Sequence, residues 1–176
     1  VGLGPIKINT VVRRGSNEDE ILDLVERFSS RQIAVRFIEF MDVGTTNGWS
    51  MDEVVTADEI RKRIGAVKQI PPDRKSDVAK IYRLPQGNEV GIITSVTEPF
   101  CKQCTRARIS ADGRLFTCLF ASSGLDLLTP MREGMSNSEI KSLIEERWEN
   151  RQDRYSELRS EETRGKERVE MSYIGG

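Results

Sequence analysis

The first 41 residues read as a strand, a helix and a second strand, and this pattern restricts the fold more than any other feature of the sequence. Ile6–Val12 alternates between apolar and polar side chains, as a half-buried strand does. Residues 17–28 begin with Asn17, a favoured helix N-cap, and continue with apolar side chains at helical spacing. Ile33–Met41 is rich in β-branched and aromatic residues. Because such a unit pairs its strands through a right-handed crossover, we expect a parallel sheet.

A loop follows the second strand, and beyond it the chain changes character. Asp42–Trp49 contains glycine and asparagine, and a loop directly after a parallel strand is where α/β folds usually place ligands. We expect an α/β fold in which residues 1–70 form the closing units of a barrel and residues 71–176 form an antiparallel and helical extension. The further predicted elements are a helix at 58–64, hairpin strands at 79–84 with 90–96 and at 106–110 with 114–119, helices at 125–132 and 136–152, and a mobile charged segment at 153–166.

Composition and charge limit the partners that the chain can have. The formal net charge is −1 across 176 residues, so overall charge predicts neither a nucleic acid nor an anionic membrane as partner. The sequence has no run of about 18 apolar residues, which a membrane-spanning helix requires. The chain begins Val1-Gly2-Leu3-Gly4-Pro5, without Met and without the features of a signal peptide, which favours a piece of a longer protein.

The strongest chemical signal is a set of three cysteines in a chain that has no histidine. Cys101 and Cys104 have C-x-x-C spacing, and the predicted second hairpin can bring Cys118 back beside them. The lack of imidazole excludes a Ser-His-Asp or Cys-His catalytic arrangement within the chain and leaves thiolates and oxygens as metal ligands. An odd number of cysteines argues against a closed disulfide framework and for a compartment that keeps thiols reduced.

The residues alone leave four interpretations of these cysteines open. They are a zinc site completed by a carboxylate or a partner chain, a redox C-x-x-C, three buried inert cysteines, and a 4Fe-4S cluster with one open iron. Ligand preferences alone favour zinc or inert cysteines over iron–sulfur by about two to one. The odd number of thiolates fits the cluster better, because structural zinc normally takes four closed ligands.

Two arginines flank the cysteines. Arg106 and Arg108 lie two positions apart on a predicted strand, so both side chains are expected on one face. Two guanidinium groups on one face make a strong anion site, and a phosphate-bearing ligand is the natural candidate beside a metal centre. The alternative is that these are ordinary surface arginines paired with Asp112 or Glu98.

The segment that carries the cysteines is similar to the C-terminal cluster region of a known enzyme family. The family is the GTP 3′,8-cyclases, radical S-adenosylmethionine (SAM) enzymes that begin molybdopterin synthesis. The resemblance extends in order over nearly the whole chain. The matching residues are 93–108 (Ile-Thr-Ser-Val-Thr-Glu-Pro-Phe-Cys-Lys-Gln-Cys-Thr-Arg-Ala-Arg), 112–120 (Asp-Gly-Arg-Leu-Phe-Thr-Cys-Leu-Phe), Lys7-Ile8-Asn9, Arg36–Met41, Asp153–Ser156 and Met171–Gly176.

The resemblance implies a fold and a set of site residues. It implies the closing units of an incomplete radical-SAM barrel at 1–70, followed at 71–176 by an α+β extension that carries a second 4Fe-4S cluster whose open iron binds the guanine of GTP. The residues that it assigns are Cys101, Cys104 and Cys118 to the cluster, Lys7, Arg106 and Arg108 to GTP, Arg36 and Met41 to SAM, and Gly175 and Gly176 to a tail that reaches the active site.

One departure from the family is large. The family's N-terminal C-x-x-x-C-x-x-C motif, which binds the SAM-cleaving cluster, does not occur in this sequence. The resemblance therefore implies the substrate-binding C-terminal region of a cyclase that is inactive alone and works with the missing barrel half. The expected partners are GTP, that half and a second copy in a homodimer, in the cytoplasm or, in a eukaryote, the mitochondrial matrix. The alternative is a non-catalytic zinc-binding or interaction module.

Overall fold

The fold consists of two compact units. The structure is a computed structural model that describes residues 2, 4–29, 33–65, 68–71, 77–159 and 168–174. The first unit comprises Val1–Met41 and Trp49–Cys104, and the second comprises Asp42–Gly48 and Thr105–Gly176. None of the helices in the described ranges is both long and apolar enough to cross a membrane.

The first unit contains a mixed sheet with helices, as an α/β fold requires. Within the described residues five strands form this sheet in the order β1-β2-β5-β4-β3. Strand β2 pairs in parallel with β1 and with β5, and the other pairs are antiparallel. The elements are β1 (Lys7–Val12), α1 (Ile21–Ser29), β2 (Ala34–Glu39), α2 (Ala57–Arg63), β3 (Lys68–Ile70), β4 (Lys80–Arg83) and β5 (Glu89–Ile93), with short 3-10 turns at Glu18–Glu20, Met51–Glu53 and Cys101–Gln103.

The core of the first unit confirms the strand–helix–strand prediction. Alternate side chains of β2, such as Val35 and Phe37, are buried on the face of the sheet that packs against the helices. Ile21 of α1 and Ile60 of α2, which are 1% and 0% exposed, belong to the same cluster. Burying a side chain of this size contributes about 1.5–3 kcal/mol, so this face fixes the strand register.

Asn17 occupies the N-cap position of the 3-10 turn Glu18–Glu20 that leads into α1, as predicted, but its side chain makes no capping hydrogen bond. Its side chain instead accepts a hydrogen bond from the Arg13 N–H and donates one to the Val11 carbonyl, each at 2.9 Å. Asn17 therefore closes the turn that ends β1. Glu18 supplies the nearby carboxylate, which accepts from the N–H groups of Gly15 and Ser16 at 2.8 and 3.1 Å.

The sheet continues on both sides of residue 70. Strand β5 pairs with β2, and the predicted hairpin of β4 with β5 is present and antiparallel. Strand β3 was not predicted, because three residues of exposed or half-buried character show no alternation to detect. The α/β class is confirmed, whereas a barrel at 1–70 and an extension at 71–176 stay predictions.

The second unit contains a small antiparallel sheet and two helices. Its elements within the described residues are β6 (Arg108–Ile109), β7 (Arg114–Phe116), β8 (Leu125–Asp126), α3 (Leu128–Arg132) and α4 (Asn137–Glu149). The predicted hairpin of β6 with β7 is present, and Ser136 with Glu139 caps α4 as predicted. The predicted helix start at Leu125 is wrong, because Leu125 pairs with β7 and the Asp126 carboxylate caps α3 from outside by accepting from the Leu128 N–H at 3.0 Å.

The charged segment after α4 is not free of tertiary contacts. Tyr155 and Arg159 both bond to the carboxylate of Asp42, with a distance of 3.0 Å from Arg159 Nε to Asp42 Oδ1. The expectation of a mobile stretch is therefore wrong for residues 153–159, because their charges pair within the second unit. The rest of that stretch, residues 160–166, lies outside the described residues.

Glu59 allows a pH-dependent test of the α2 cap. The N–H of Thr56, followed by the Arg14 guanidinium, lowers the pKa of Glu59 from 4.5 to about 2. A lowered pKa stabilises the fold above the unfolded value, and this contribution is lost as the pH falls from about 4.5 to about 2. We expect Glu59→Gln to lower the free energy of unfolding by about 1 kcal/mol at neutral pH, allowing for solvent screening of the pair with Arg14.

Urea denaturation at a series of pH values measures this difference. The gap between the wild type and Glu59→Gln should close on acidification. Glu20→Gln, at an exposed carboxylate of the 3-10 turn Glu18–Glu20 before α1, serves as the control. A gap that stays constant from neutral pH to pH 3 contradicts the assignment.

Candidate functional site

One face of the first unit's sheet carries charged and polar side chains. Alternate residues of β1 and β2 point away from the helices, and the register pairs Asn9 with Arg36 and Arg36 with Gly91. Because paired residues of neighbouring strands lie on the same face, Lys7 and Arg36 share it. Lys7 is exposed and Arg36 is half-buried. The structure thus brings together two residues that the resemblance assigned to GTP and to SAM.

Arg36 lies across strand β5 because position 91 has no side chain. A Cβ atom at Gly91 would lie 2.8 Å from Arg36 Cγ, so any larger residue would displace the arginine. The Nε atom of Arg36 is buried, and no described residue accepts a hydrogen bond from it. An unsatisfied buried donor is costly, and in native proteins it commonly marks a site where a ligand, an ion or a water supplies the missing acceptor.

Glu39, at the end of β2, is a site residue that the sequence did not single out. Its side chain is 0% exposed. One carboxylate oxygen accepts from the Ala57 N–H at 2.8 Å and from the Thr97 hydroxyl. The other accepts from the N–H groups of Val96 and Thr97 at 2.7 and 2.9 Å. One buried carboxylate therefore ties β2 to the first turn of α2 and to the turn that follows β5.

The turn that Glu39 holds leads directly to the C-x-x-C motif. The Thr94 hydroxyl donates to the Glu98 carbonyl at 2.8 Å, and the Glu98 carboxylate pairs with Lys80. The chain then forms a 3-10 turn at Cys101–Gln103, in which the Cys104 N–H donates to the Cys101 carbonyl at 3.2 Å. The two cysteines therefore lie on one tight turn. The residues that lead to this turn are held by the Thr94–Glu98 hydrogen bond and by the Glu98–Lys80 ion pair.

The third cysteine lies in the second unit. The Cys118 sulfur accepts a hydrogen bond from the Phe120 N–H at 3.4 Å, and the neighbouring Thr117 hydroxyl donates to Asp153 at 2.6 Å. All three cysteines lie within the described residues, are half-buried and form no disulfide. In the described ranges no three Cys, Asp or Glu side chains are grouped to hold a metal ion. The predicted cluster ligands thus divide between the two units, and the cluster stays a prediction.

The two flanking arginines do not share a strand. Strand β6 begins at Arg108, which is half-buried, and Arg106 precedes it and is exposed. The carboxylates proposed as their ordinary partners have other contacts, since Glu98 pairs with Lys80 and Asp112 pairs with Arg114. Arg106 lies outside the strand, so strand geometry does not place the two side chains on one face. The phosphate role of both arginines stays a prediction.

The remaining predicted residues lie at the ends of segments. Met41 is half-buried and is the last residue of the first unit before the loop at Asp42. Gly175 and Gly176 lie outside the described residues, which end at Ile174. The role of Met41 at SAM and the role of the tail stay predictions.

A second buried carboxylate, Asp42, was also missed. Burial alone would raise the pKa of Asp42, but the hydrogen bond from Tyr155 and the charge of Arg159 outweigh burial and lower that pKa. Arg168 pairs with the same carboxylate at 3.2 Å and stacks over the Tyr155 ring at 4.3 Å. The Tyr155 ring also stacks on Phe120 at 4.4 Å, so this network supports the segment beside Cys118.

Residues 33–157 match the family described as Molybdenum Cofactor Synthesis C. The chain belongs to this family. The match spans β2 to Glu157 and therefore includes Glu39 and all three cysteines. The resemblance derived from the sequence is confirmed, because the chain is 41–46% identical to curated GTP 3′,8-cyclases.

Three relatives illustrate the extent of the similarity. The GTP 3′,8-cyclase of Staphylococcus carnosus (strain TM300) is 44% identical over 97% of this chain and 53% of its own length. That of Xanthomonas campestris pv. campestris (strain B100) is 46% identical over 99% of the chain and 52% of its own length. That of Staphylococcus aureus (strain MRSA252) is 41% identical over 100% of the chain and 54% of its own length. The chain thus spans about half the length of the curated relatives it matches.

The contacts of Glu39 predict a large effect of removing its charge. In Glu39→Gln one of the two accepting oxygens becomes an NH₂ group that faces N–H donors, so at least one buried donor loses its partner. We expect a loss of about 2 kcal/mol in the free energy of unfolding and faster hydrogen exchange at the amides of Val96 and Thr97.

Glu98→Gln is the matched control for this variant, because it changes an exposed carboxylate of the same turn. It should alter stability by less than about 0.5 kcal/mol. Equal effects of the two substitutions on exchange at Val96 and Thr97 would show that Glu39 does not hold the turn.

Proposed function

We propose that the chain is the C-terminal substrate-binding region of a GTP 3′,8-cyclase, which acts in the conversion of GTP to (8S)-3′,8-cyclo-7,8-dihydroguanosine 5′-triphosphate in molybdopterin biosynthesis. The observation that carries the proposal is the turn at Cys101–Gln103, on which two half-buried cysteines outside any disulfide follow a segment fixed by a buried carboxylate. Membership of the molybdenum cofactor family supports the same conclusion. In this proposal residues 1–70 are closing units of the barrel and 71–176 the extension.

The donor set fits a 4Fe-4S cluster held by Cys101, Cys104 and Cys118. Three thiolates without histidine suit iron–sulfur ligation, and they leave one iron open for a substrate atom. The N–H···S contact from Phe120 to Cys118 is of the kind that tunes a ligating thiolate. These three residues would hold the cluster, and the bound cluster would supply an open coordination position for the guanine of GTP.

The cationic residues supply binding and orientation. Lys7, Arg106 and Arg108 would neutralise the triphosphate, for which guanidinium groups offer paired donors. Arg36 and Met41 would contact SAM, and the buried Nε of Arg36 offers a donor without an acceptor among the described residues. The chemistry that SAM and the clusters supply is hydrogen abstraction from the GTP ribose followed by cyclisation onto the purine. The catalytic C-x-x-x-C-x-x-C belongs to the other half of the relatives, so we propose that this chain alone binds but does not turn over.

A non-catalytic zinc-binding or interaction module is the second candidate. The observation that favours it is the same turn, since two thiolates at C-x-x-C spacing also form half of a structural zinc site. Zinc held by Cys101 and Cys104 would need further ligands, which a carboxylate or another chain would supply. Metal analysis separates the two candidates.

Anaerobic reconstitution with iron and sulfide tests the cluster. The chain should bind about four irons and, after reduction, give the electron paramagnetic resonance signal of a 4Fe-4S cluster. Cys118→Ser should abolish or strongly reduce this signal, and the signal should shift when GTP is added. Ser123→Ala, at an exposed hydroxyl five positions after Cys118, should leave the resonance signal unchanged. Stoichiometric zinc without iron, unaffected by Cys118→Ser, would instead establish the zinc module.

GTP binding to the reconstituted chain tests the arginines. We expect Arg106→Ala and Arg108→Ala each to raise the dissociation constant for GTP about tenfold, because each removes charge-assisted hydrogen bonds to phosphate. Arg83→Ala, at an exposed arginine of β4 that pairs with Glu89, is the control and should bind as the wild type does. Anaerobic isothermal titration calorimetry measures the affinities. If Arg106→Ala and Arg108→Ala both bind GTP as tightly as Arg83→Ala does, the two arginines do not hold the phosphates.

A further inference from the structure

The segment before the C-terminal Gly-Gly is docked within the second unit by side chains and backbone. Ile174 is 2% exposed, and the Tyr173 ring meets the Phe116 ring edge-on at 6.2 Å between centroids. The Val169 N–H donates to the Ala121 carbonyl at 3.2 Å. Phe116 and Ala121 flank Cys118 along the chain, so the docked segment lies against the stretch that carries the third cysteine.

Glu170 contacts a loop that is distant from it along the chain. Its Oε1 atom accepts from the N–H and from the hydroxyl of Thr45, each at 2.7 Å, across 125 positions of sequence. Its Oε2 atom accepts from the Thr46 hydroxyl at 3.2 Å. These hydrogen bonds, first from Thr45 and then from Thr46, lower the pKa of Glu170, so its carboxylate is ionised at neutral pH.

Gly44 makes room for this carboxylate. Its φ angle is +67°, and a Cβ atom built there would lie 2.1 Å from Glu170 Oε2, which is far inside van der Waals contact. Gly44 is buried, whereas Thr45 and Thr46 beside it are exposed. The loop after β2 is therefore shaped to receive a carboxylate over its glycine and beside its threonines.

The same loop contains a natural control position. Gly48 has a φ angle of +59°, but nothing lies within 4 Å of a Cβ atom built there. Alanine at either glycine meets the same backbone strain, because both lie in the left-handed region. Only alanine at Gly44 also displaces the Glu170 carboxylate.

We propose that Glu170 is a positioning residue for the Gly-Gly tail. Its carboxylate, seated against Gly44, Thr45 and Thr46, fixes Arg168–Ile174 so that the chain leaves Ile174 from a defined point. The inference rests on the proposed function together with the tail role that the resemblance implies for Gly175 and Gly176, and it adds the contact that sets where this tail begins. The C-terminus then depends on the loop after β2 as well as on the strands around Cys118.

Hydrogen exchange at the amides of Val169, Tyr173 and Ile174 tests the proposal. All three N–H groups donate backbone hydrogen bonds in the docked segment. We expect Glu170→Gln and Gly44→Ala each to speed exchange at these amides about tenfold, and the double variant to exchange no faster than either single variant. Gly48→Ala should leave these amides close to the wild-type rate.

Thr45 adds a rescue that distinguishes a specific contact from general loosening of the unit. Thr45→Val removes the hydroxyl donor and should speed exchange, whereas Thr45→Ser keeps the donor and should restore protection. The proposal is overturned if Gly44→Ala and Gly48→Ala have equal effects, or if Glu170→Gln leaves the three amides unchanged. The exchange data are collected without iron and without GTP, so they are independent of the cluster test.

A second measurement joins the contact to the tail's role. In the reconstituted chain, GTP should slow exchange at Ile174 in the wild type and in Gly48→Ala. It should have at most a third of that effect in Gly44→Ala and Glu170→Gln, although these variants keep the cluster signal. If the cluster forms and GTP slows exchange equally in all four proteins, Glu170 holds the segment without positioning the tail. That result would overturn the inference while leaving the proposed function intact.

Discussion

A carboxylate with no exposed surface joins the three segments that meet at the end of strand β2. Both carboxylate oxygens of Glu39 accept hydrogen bonds, from backbone N–H groups and from a hydroxyl, so the buried charge is fully hydrogen-bonded. The Ala57 N–H in the first turn of α2 and the Val96 and Thr97 N–H groups after β5 have that one side chain as their acceptor. The segment that leads to Cys101 begins at this contact, so the geometry of the C-x-x-C turn is set from the middle of the sheet.

Carboxylates also accept from backbone N–H groups at two helix starts and in one loop. Backbone N–H groups of a loop need acceptors, and a carboxylate can satisfy two or more at once. Asp126 supplies them at the start of α3, Glu59 at the start of α2, and Glu170 in the loop at Gly44–Thr46. Several acidic residues of this chain therefore have their partners within the fold, and a net charge of −1 says little about what the chain binds.

The sequence predicted the elements that local pattern determines, and it could not show contacts between distant residues. Alternation and helical spacing indicated β1, α1 and β2, and turn residues indicated both hairpins. Strands β3 and β8 have three and two residues, too few to show a period. Glu39 was detectable in principle as a charged residue at the end of an apolar strand. Its donors, however, lie up to 58 positions away, and those of Glu170 lie 125 away.

The face of the sheet that carries Arg36 gives a physical argument for a ligand. A sheet that is covered by helices on one face needs an apolar opposite face if a further protein layer is to pack there. This face instead presents Lys7 and Arg36, and Gly91 is the residue that lets Arg36 lie across it. The buried Nε atom of Arg36 lacks an acceptor among the described residues, so this side chain is suited to an anionic or strongly polar group. An acceptor from such a group would offset the cost of keeping that donor buried, which agrees with the ligand role proposed for Arg36.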